Sequence, residues 1–299
     1  MAVEAIHLFL NPAAGRGRAR RRRDRILQLL LGANLEIEVH QSESVGNLET
    51  QVLQQVDAGA TRIVVAGGDG SVHEAVNGVL RSSGQAAIGV IPTGTGNDFA
   101  KACGIPLNWE HASQLLADRI AANAVPRKLD VGKLNDRFFA NGAGIGFDAK
   151  VTRIANSIRL PMGDAVYLLA IFRAMIDGVA SPKIQIRADD FTWDAPITLA
   201  AINNGPWVGG IFHIAPMANN ADGLLDLIIA KPVTRRRIMA LLPKLMNGQH
   251  MQEAEVVHQS VAALAITAAA PIASHLDGES QALQTEFHIS VLEGALNLL

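Results

Sequence analysis

The segment Gly67-Gly68-Asp69-Gly70-Ser71 sits between an apolar, strand-like run at residues 62–66 and a run in which Val72, Val76 and Leu80 recur at helical spacing. A strand that ends in glycines and restarts at once as a helix is half of a βα unit, and the same alternation fills the first third of the chain. Strand-like runs occupy residues 6–10, 35–39, 62–66 and 87–91; between them Ile26, Leu29 and Leu30 share one helical face, as do Leu48, Val52 and Val56. This pattern predicts an open parallel sheet covered by helices. In such sheets ligands bind beyond the C-terminal strand ends. Glycine clusters follow Ala66 and Ile91 there, and the first strand runs into Asn11-Pro12-Ala13-Ala14-Gly15.

A chain of 299 residues exceeds one comfortable core, which argues for two domains with a cleft between them. After about Pro126 the texture becomes strand-like, at 128–134, 183–187, 197–202, 224–229 and 261–267, with helical insertions at 162–178 and after Thr234. The predicted fold class is therefore an α/β N-terminal domain with an open parallel sheet plus a mostly β, β-sandwich-like C-terminal domain. The expected boundaries are 1–127 and 128–290, with 291–299 free to pack back onto the first domain. Charged residues make up 18% of the chain and the formal charge is -2, so there is no blanket charge for nucleic acid. Cys103 is the only cysteine, which rules out an intramolecular disulfide and a cysteine-rich metal site and suits a reducing cytoplasm. The run at 6–10 is too short for a secretory signal, and the apolar stretch 261–273 falls short of the roughly 20 residues that span a bilayer.

The glycine loops carry the chemistry. Glycines let the backbone approach phosphate oxygens, and the following helix N-terminus directs amides and partial positive charge at the anion. A carboxylate at Asp69 is out of place in a pure anion cradle unless it holds Mg2+ or accepts a proton from an attacking hydroxyl. The plainer alternative is a tight turn with Ser71 as helix N-cap. One strand later Pro92-Thr93-Gly94-Thr95-Gly96-Asn97-Asp98-Phe99-Ala100 repeats the design, with Asp98 either part of the site or a cap of its own helix.

With these two loops, Asn11-Pro12-x-x-Gly15 and the late segments Asp222-Gly223-Leu224-Leu225-Asp226 and Leu276-Asp277-Gly278-Glu279, the chain resembles the diacylglycerol kinase catalytic family. That family includes the YegS-like bacterial lipid kinases and, more distantly, sphingosine and ceramide kinases. The resemblance implies an ATP-dependent, Mg2+-requiring transfer of the γ-phosphate to a lipid hydroxyl. It places Asn11, Pro12, Gly15, Ser42, Gly67, Gly68, Asp69, Gly70, Ser71, Val72, His73, Glu74, Gly94, Thr95, Asn97 and Asp98 at the nucleotide. It also implies a structural Mg2+ on Asp222, Asn219 and the Leu224 carbonyl, although relatives often carry a carboxylate where Asn219 stands. The general base would be Glu279 first and Asp277 second, with Asp69 also catalytic. By themselves the late segments read as ordinary turns, Asp222-Gly223 as a hairpin turn.

Two departures from the common bacterial pattern stand out: Ser71 replaces a threonine and His73 an asparagine. His73-Glu74 opens a zincin-like motif, but Asn77 stands where the second histidine is required, which excludes a metalloprotease. No Walker A lysine motif and no protein-kinase HRD or DFG set is present. The rivals are an NAD kinase-like enzyme, disfavoured by Thr95-Gly96-Asn97-Asp98-Phe99, and a nucleotide-sensing regulator without turnover. Seven arginines crowd residues 16–25, either as a solvated helix face or as a basic patch drawn to anionic lipid at about 1 kcal/mol per residue near the surface. Arg16 or Arg18 could also reach ATP phosphates. Arg235-Arg236-Arg237 precede Ile238, Leu241, Leu242 and Leu245, an amphipathic helix that either contacts membrane or packs into the core. The expected partners are a lipid substrate and, peripherally, an anionic membrane surface; relatives are often homodimers, and no nucleic acid is expected.

Overall fold

The computed structural model describes residues 5–12, 14–32, 35–158 and 165–299, excluding the side chains of 14–18. The chain divides into two compact units, Met1–Leu129 with Gly294–Leu299, and Asp130–Glu293. The first unit runs β1 (Ile6–Leu10), α1 (Ala14–Leu31), β2 (Ile37–Gln41), α2 (Asn47–Asp57), β3 (Arg62–Gly67), α3 (Asp69–Arg81), β4 (Ala87–Pro92), α4 (Asp98–Ala102) and α5 (Trp109–Ala121). The second runs from β5 (Arg127–Leu134) through β6 (Arg137–Phe139), β7 (Gly142–Gly146), α6 (Phe147–Ser157), α7 (Ala165–Ile176), β8 (Lys183–Ala188), β9 (Phe191–Pro196), β10 (Leu199–Asn203), β11 (Leu225–Ala230) and α8 (Arg235–Met246). It ends with β12 (Val256–Val261), β13 (Ala263–Ile272), β14 (Ser274–Leu276), β15 (Glu279–Ser280) and β16 (Gln284–Leu298), whose last residues re-enter the first unit.

In the first unit β2, β1, β3 and β4 pair in parallel in that order, and Asn297 and Leu298 extend the ladder beside Ala87 and Ile88. Alternation along β1 sends Ile6, Leu8 and Leu10 to one face, where Ile26 and Leu30 of α1 and Leu116 and Ile120 of α5 complete an apolar layer. The second strand starts two residues later than its apolar run because the parallel register sets Ile37, not Leu35, opposite Ile6. Helices α2 and α3 pack on one another through Gly78, where an added Cβ would stand 2.7 Å from the Glu49 carbonyl oxygen and 2.8 Å from Val52 Cβ. That close approach explains why α3 is buried around most of its circumference, including Val79 where the periodicity points to Leu80.

The second unit is a sandwich of antiparallel sheets. One contains β9, β8, β13 and the first part of β16; the other has the order β12-β11-β10-β7-β14-β15. Phe139, Ile145, Ile186, Ile202, Leu227, Ile266 and Phe287 fill the space between them. Strand β8 alternates buried and exposed residues because its outer face meets water, whereas β11 is buried almost throughout because the 204–218 loop and Leu245 of α8 cover its other side. The run 261–267 is not one strand: β12 ends at Val261 and β13 starts at Ala263 in the opposite sheet, a corner hidden by an unbroken series of small apolar residues. Helix α6 has no counterpart in the sequence-based expectation; it follows Gly146, whose φ of 91° turns the chain out of β7. Residues 162–164 of the expected helix 162–178 lie outside the described residues, and the remainder forms α7.

Gly78→Ala should overpack the α2–α3 contact and lower unfolding free energy by about 1–3 kcal/mol, read as a shifted urea midpoint at unchanged slope.

Candidate active site

At the C-terminal edge of the parallel sheet the two glycine loops meet backbone to backbone. A Cβ on Gly68 would lie 3.0 Å from the Gly94 Cα, and one on Gly94 would lie 2.5 Å from the Gly68 Cα. The Thr93 amide donates to the Gly67 carbonyl at 2.9 Å, and the Asp69 carboxylate accepts the Phe99 amide at 3.1 Å. Asp69 is thus the first residue of α3 and also the tie between the loops. Ser71 is not the N-cap: it lies buried within α3, accepts the Asn11 carboxamide at 3.2 Å, and would collide with any side chain at Gly67. Gly68 caps the helix without a side-chain bond, so first-turn amides point outward with the positive end of the dipole.

Among the described residues, Thr93 Oγ1 and Asn97 Oδ1 are buried here without a hydrogen-bond partner. Asn97 takes a left-handed φ of 52° as N-cap of α4. Asp98 is therefore not the cap; it is the first helical residue, buried and paired with Lys101 at 3.2 Å. Thr95 is exposed on the loop. Val72 and His73 face the packed side of α3 and are almost fully buried. Glu74 accepts the Leu48 and Glu49 amides at 3.0 and 3.3 Å, capping α2, whose own N-cap Gly46 has no side chain to do so. Ser42 is buried just past β2, its amide bonded to the Leu10 carbonyl at 3.0 Å. Gly15 does not belong to a loop, since α1 already begins at Ala14. Of the arginine run, Arg22 stacks over Trp109 at 5.0 Å and Arg25 approaches Glu110 at 3.5 Å, so both fasten α1 to α5; the side chains of Arg16 and Arg18 lie outside the described set.

In the second unit Asp277 and Gly278, with φ of 48° and 88°, form the two-residue turn between β14 and β15. Both Asp277 oxygens accept backbone amides, one from Ala140 at 2.9 Å and the other from Asn141 and Gly142 at 2.8 and 2.9 Å. His275, buried on β14, accepts the Gly278 amide on Nδ1 at 3.3 Å, so Nε2 carries the proton and donates to Asp148 at 2.9 Å. Asn156 of α6 donates to the Gly278 carbonyl at 2.9 Å. Glu279 follows, half-buried, as the first residue of β15. Asp148, His275 and Asn156 were not singled out from the sequence, because nothing local marks them.

Beside this turn lies an apolar cavity of about 120 Å³, walled by Phe147, Tyr167, Ile171, Phe212, Leu242 and Leu245 and bordered by Asp148. The Tyr167 hydroxyl lies 3.6 Å from where a Cβ on Gly278 would stand. His250, also in the wall, bonds the Ile214 carbonyl at 2.9 Å, and burial is the main cause that holds it below its ordinary imidazole value. Around the turn the carboxamide oxygens of Asn141, Asn203 and Asn204 are buried without a partner. The Leu241–Leu245 face of α8 lines the cavity and Ile238 and Leu242 are core, while Arg237 pairs with Glu253 and Glu255.

The Asn219, Asp222 and Leu224 group sits on an exposed turn leading into β11, not on a hairpin, since the preceding strand ends at Asn203. Asp222 accepts the Leu224 amide at 3.0 Å. The buried Asp130, absent from the sequence-based set, holds the turn by accepting the Gly223 amide at 2.7 Å while its own amide donates to the Asn220 carbonyl at 2.8 Å.

Family profiles match this arrangement: "Diacylglycerol kinase catalytic domain" over residues 5–134 and "YegS C-terminal NAD kinase beta sandwich-like domain" over 142–299. The chain belongs to the YegS-like branch of the diacylglycerol kinase family. It is 33% identical to a "Probable lipid kinase YegS-like" protein of Pseudomonas aeruginosa, over 89% of this chain and 85% of that one. It is 27% identical to a "Diacylglycerol kinase" of Bacillus subtilis, over 93% and 90% of the respective chains. Two crystal structures from Bacillus anthracis str. Sterne share the fold. One has a TM-score of 0.81 at 24% identity; the other, a diacylglycerol kinase, has 0.75 at 22%, and each aligns over 100% of this chain and 97% of its own.

Asp277→Ala should leave three amides around β7 without their acceptor and cost about 2 kcal/mol or more of stability, measurable by chemical denaturation.

Proposed function

We propose that this chain is an ATP-dependent lipid kinase in which the first unit binds the nucleotide and the second supplies the general base and the lipid pocket. The observation that carries the nucleotide half is the Gly68–Gly94 contact at the strand ends, with the unpartnered Thr93 Oγ1 and Asn97 Oδ1 beside it. Such acceptors and donors, buried without partners, call for a polar ligand. Backbone at Gly68 and Gly94 and the first-turn amides of α3 would take phosphate oxygens, while Asp69 keeps the two loops in register. Asn11 and Ser71 steady the same edge. Val72 and His73 contribute packing and Glu74 a cap, so their part in nucleotide binding is indirect.

Both Asp277 oxygens already accept backbone amides, which favours Glu279 as the base. The Asp277, His275 and Asn156 bonds fix the turn on which Glu279 follows, so its carboxylate can take the proton as the lipid hydroxyl attacks the γ-phosphate in line. The adjoining apolar cavity suits an acyl chain, and the carboxamide oxygens of Asn141, Asn203 and Asn204 suit a headgroup that brings hydroxyl donors. Mg2+ that accompanies ATP enters as part of that substrate. A second, structural Mg2+ fits the hard-oxygen set of Asp222, Asn219 and the Leu224 carbonyl, where it would fix the turn before β11.

Among the described residues no helix is long and apolar enough to cross a membrane. Leu169, Phe172 and Ile176 of α7 and Met239 of α8 are exposed, with Arg173, Arg235 and Arg236 exposed among them, and Arg235 reaches the Ile176 carbonyl at 3.5 Å. Apolar side chains interspersed with arginines favour contact with an anionic bilayer, from which lipid would enter the cavity beneath α7 and α8.

Incubation with labelled ATP and total bacterial lipid extract should yield a labelled phospholipid, and Glu279→Ala should lower that rate about 10²–10⁴-fold with the fold intact. Nucleotide binding without any labelled lipid would return the chain to the regulator alternative. Ile171→Trp, which fills the cavity, should depress kcat/KM for long-chain substrate about tenfold or more while leaving the KM for ATP and the rate on a short-chain analogue close to wild type.

A further inference from the structure

A second constellation lies on the outer strand pair of the parallel sheet, β1 and β2. The β1–β2 register sets His7 beside Glu38 and Phe9 beside His40. Because residues two apart on a strand share a face, these four side chains form one block. The His7 Nδ1 and His40 Nε2 atoms are 3.2 Å apart, and His7 Nδ1 is 3.5 Å from Glu38 Oε2. One nitrogen or oxygen from each of the three residues lies within 4.8 Å of the others, the sole such grouping of three among the described residues. Phe9, fully buried, stacks on the His40 ring with centroids 4.6 Å apart and planes 16° from parallel, which fixes that ring.

We propose that His7, Glu38 and His40 form a binding site for a divalent transition metal ion of the Zn2+ class, separate from the phosphoryl-transfer site. Zn2+ bonds of 2.0–2.1 Å to imidazole nitrogen and carboxylate oxygen imply ligand–ligand distances of about 3.3–3.4 Å around a tetrahedron. The 3.2 and 3.5 Å separations bracket that value. Two imidazoles and one carboxylate suit Zn2+ and neighbouring first-row ions more than Mg2+ or Ca2+, and water completes a fourth position. Without metal, the two facing nitrogens share one proton; on ligation it moves to the other ring nitrogen of the donating imidazole, and both rings bind neutral. Glu38 is 59% exposed and can swing to close the site without repacking the sheet. Since β2 is the edge strand of this sheet, the ion would clip it to β1.

The test is calorimetric titration of the metal-stripped full chain with Zn2+, alongside its melting temperature and the visible spectrum of the Co2+ form. Expected are one site per chain, a saturable rise in melting temperature, and a Co2+ spectrum typical of four nitrogen and oxygen ligands. His7→Ala and His40→Ala should each weaken binding at least about tenfold. Glu38→Gln should weaken it in the same sense, and its exposed side chain keeps the test decisive should either histidine variant fail to fold. Absence of micromolar binding by the wild-type chain, or unchanged binding in His7→Ala and Glu38→Gln, overturns the proposal.

Discussion

The approach of Gly68 to Gly94 governs the first unit. Two peptide segments can come this near only where neither carries a Cβ, and the meeting point is where β3 and β4 both terminate. Everything nearby serves that contact. Gly67 makes room for Ser71, Ser71 receives Asn11, Asp69 holds Phe99, and the first turn of α3 is left with outward amides. The loops are tied into one unit instead of two independent turns, and the proposed phosphoryl transfer would draw on such a preorganised array of donors.

The second unit solves a different problem with the same economy. A two-residue turn with both residues at positive φ would be pliable if left in solvent, yet here it is clamped from three sides by Asp277, His275 and Asn156. The clamp links strands β7 and β14 to helix α6, so the turn inherits the rigidity of a β-sandwich and of the helical layer that encloses the apolar cavity. Pocket and turn are thereby held in one frame, as the proposed reading of an acyl-chain pocket beside Glu279 requires.

Much of this was legible from local pattern. Period-two alternation and helical spacing located the parallel strands to within about two residues, and the two glycine loops fall at the strand ends where the structure brings them together. What local pattern missed is long-range. Asp148 meets His275 across 127 positions, Asn156 meets Gly278 across 122, and Asp130 meets Gly223 across 93. No spacing rule pairs such residues. The 261–267 run failed for the opposite reason: a change of sheet at Ala262 carries no glycine or proline to mark it. In the arginine run, composition left a solvated helix face and a basic patch both open; Arg22 and Arg25 meet Trp109 and Glu110, contacts set by the packing of α5.

The acidic residues of the glycine motifs show why a motif's charge is a poor guide to its chemistry. Asp69 accepts an amide of the neighbouring loop, Glu74 two amides at the start of α2, Asp277 three around β7, and Asp222 one within its own turn. Glycine-rich turns expose more unpaired backbone donors than helices or strands do, and a short carboxylate is an efficient acceptor for them. Acids therefore gather beside glycines for structural reasons before any catalytic one. A carboxylate whose oxygens are already taken up by amides has fewer lone pairs left to receive a substrate proton. On the proposed reading the base is a residue that the turn presents and not one that builds it, Glu279 instead of Asp277, although only one glycine stands between them.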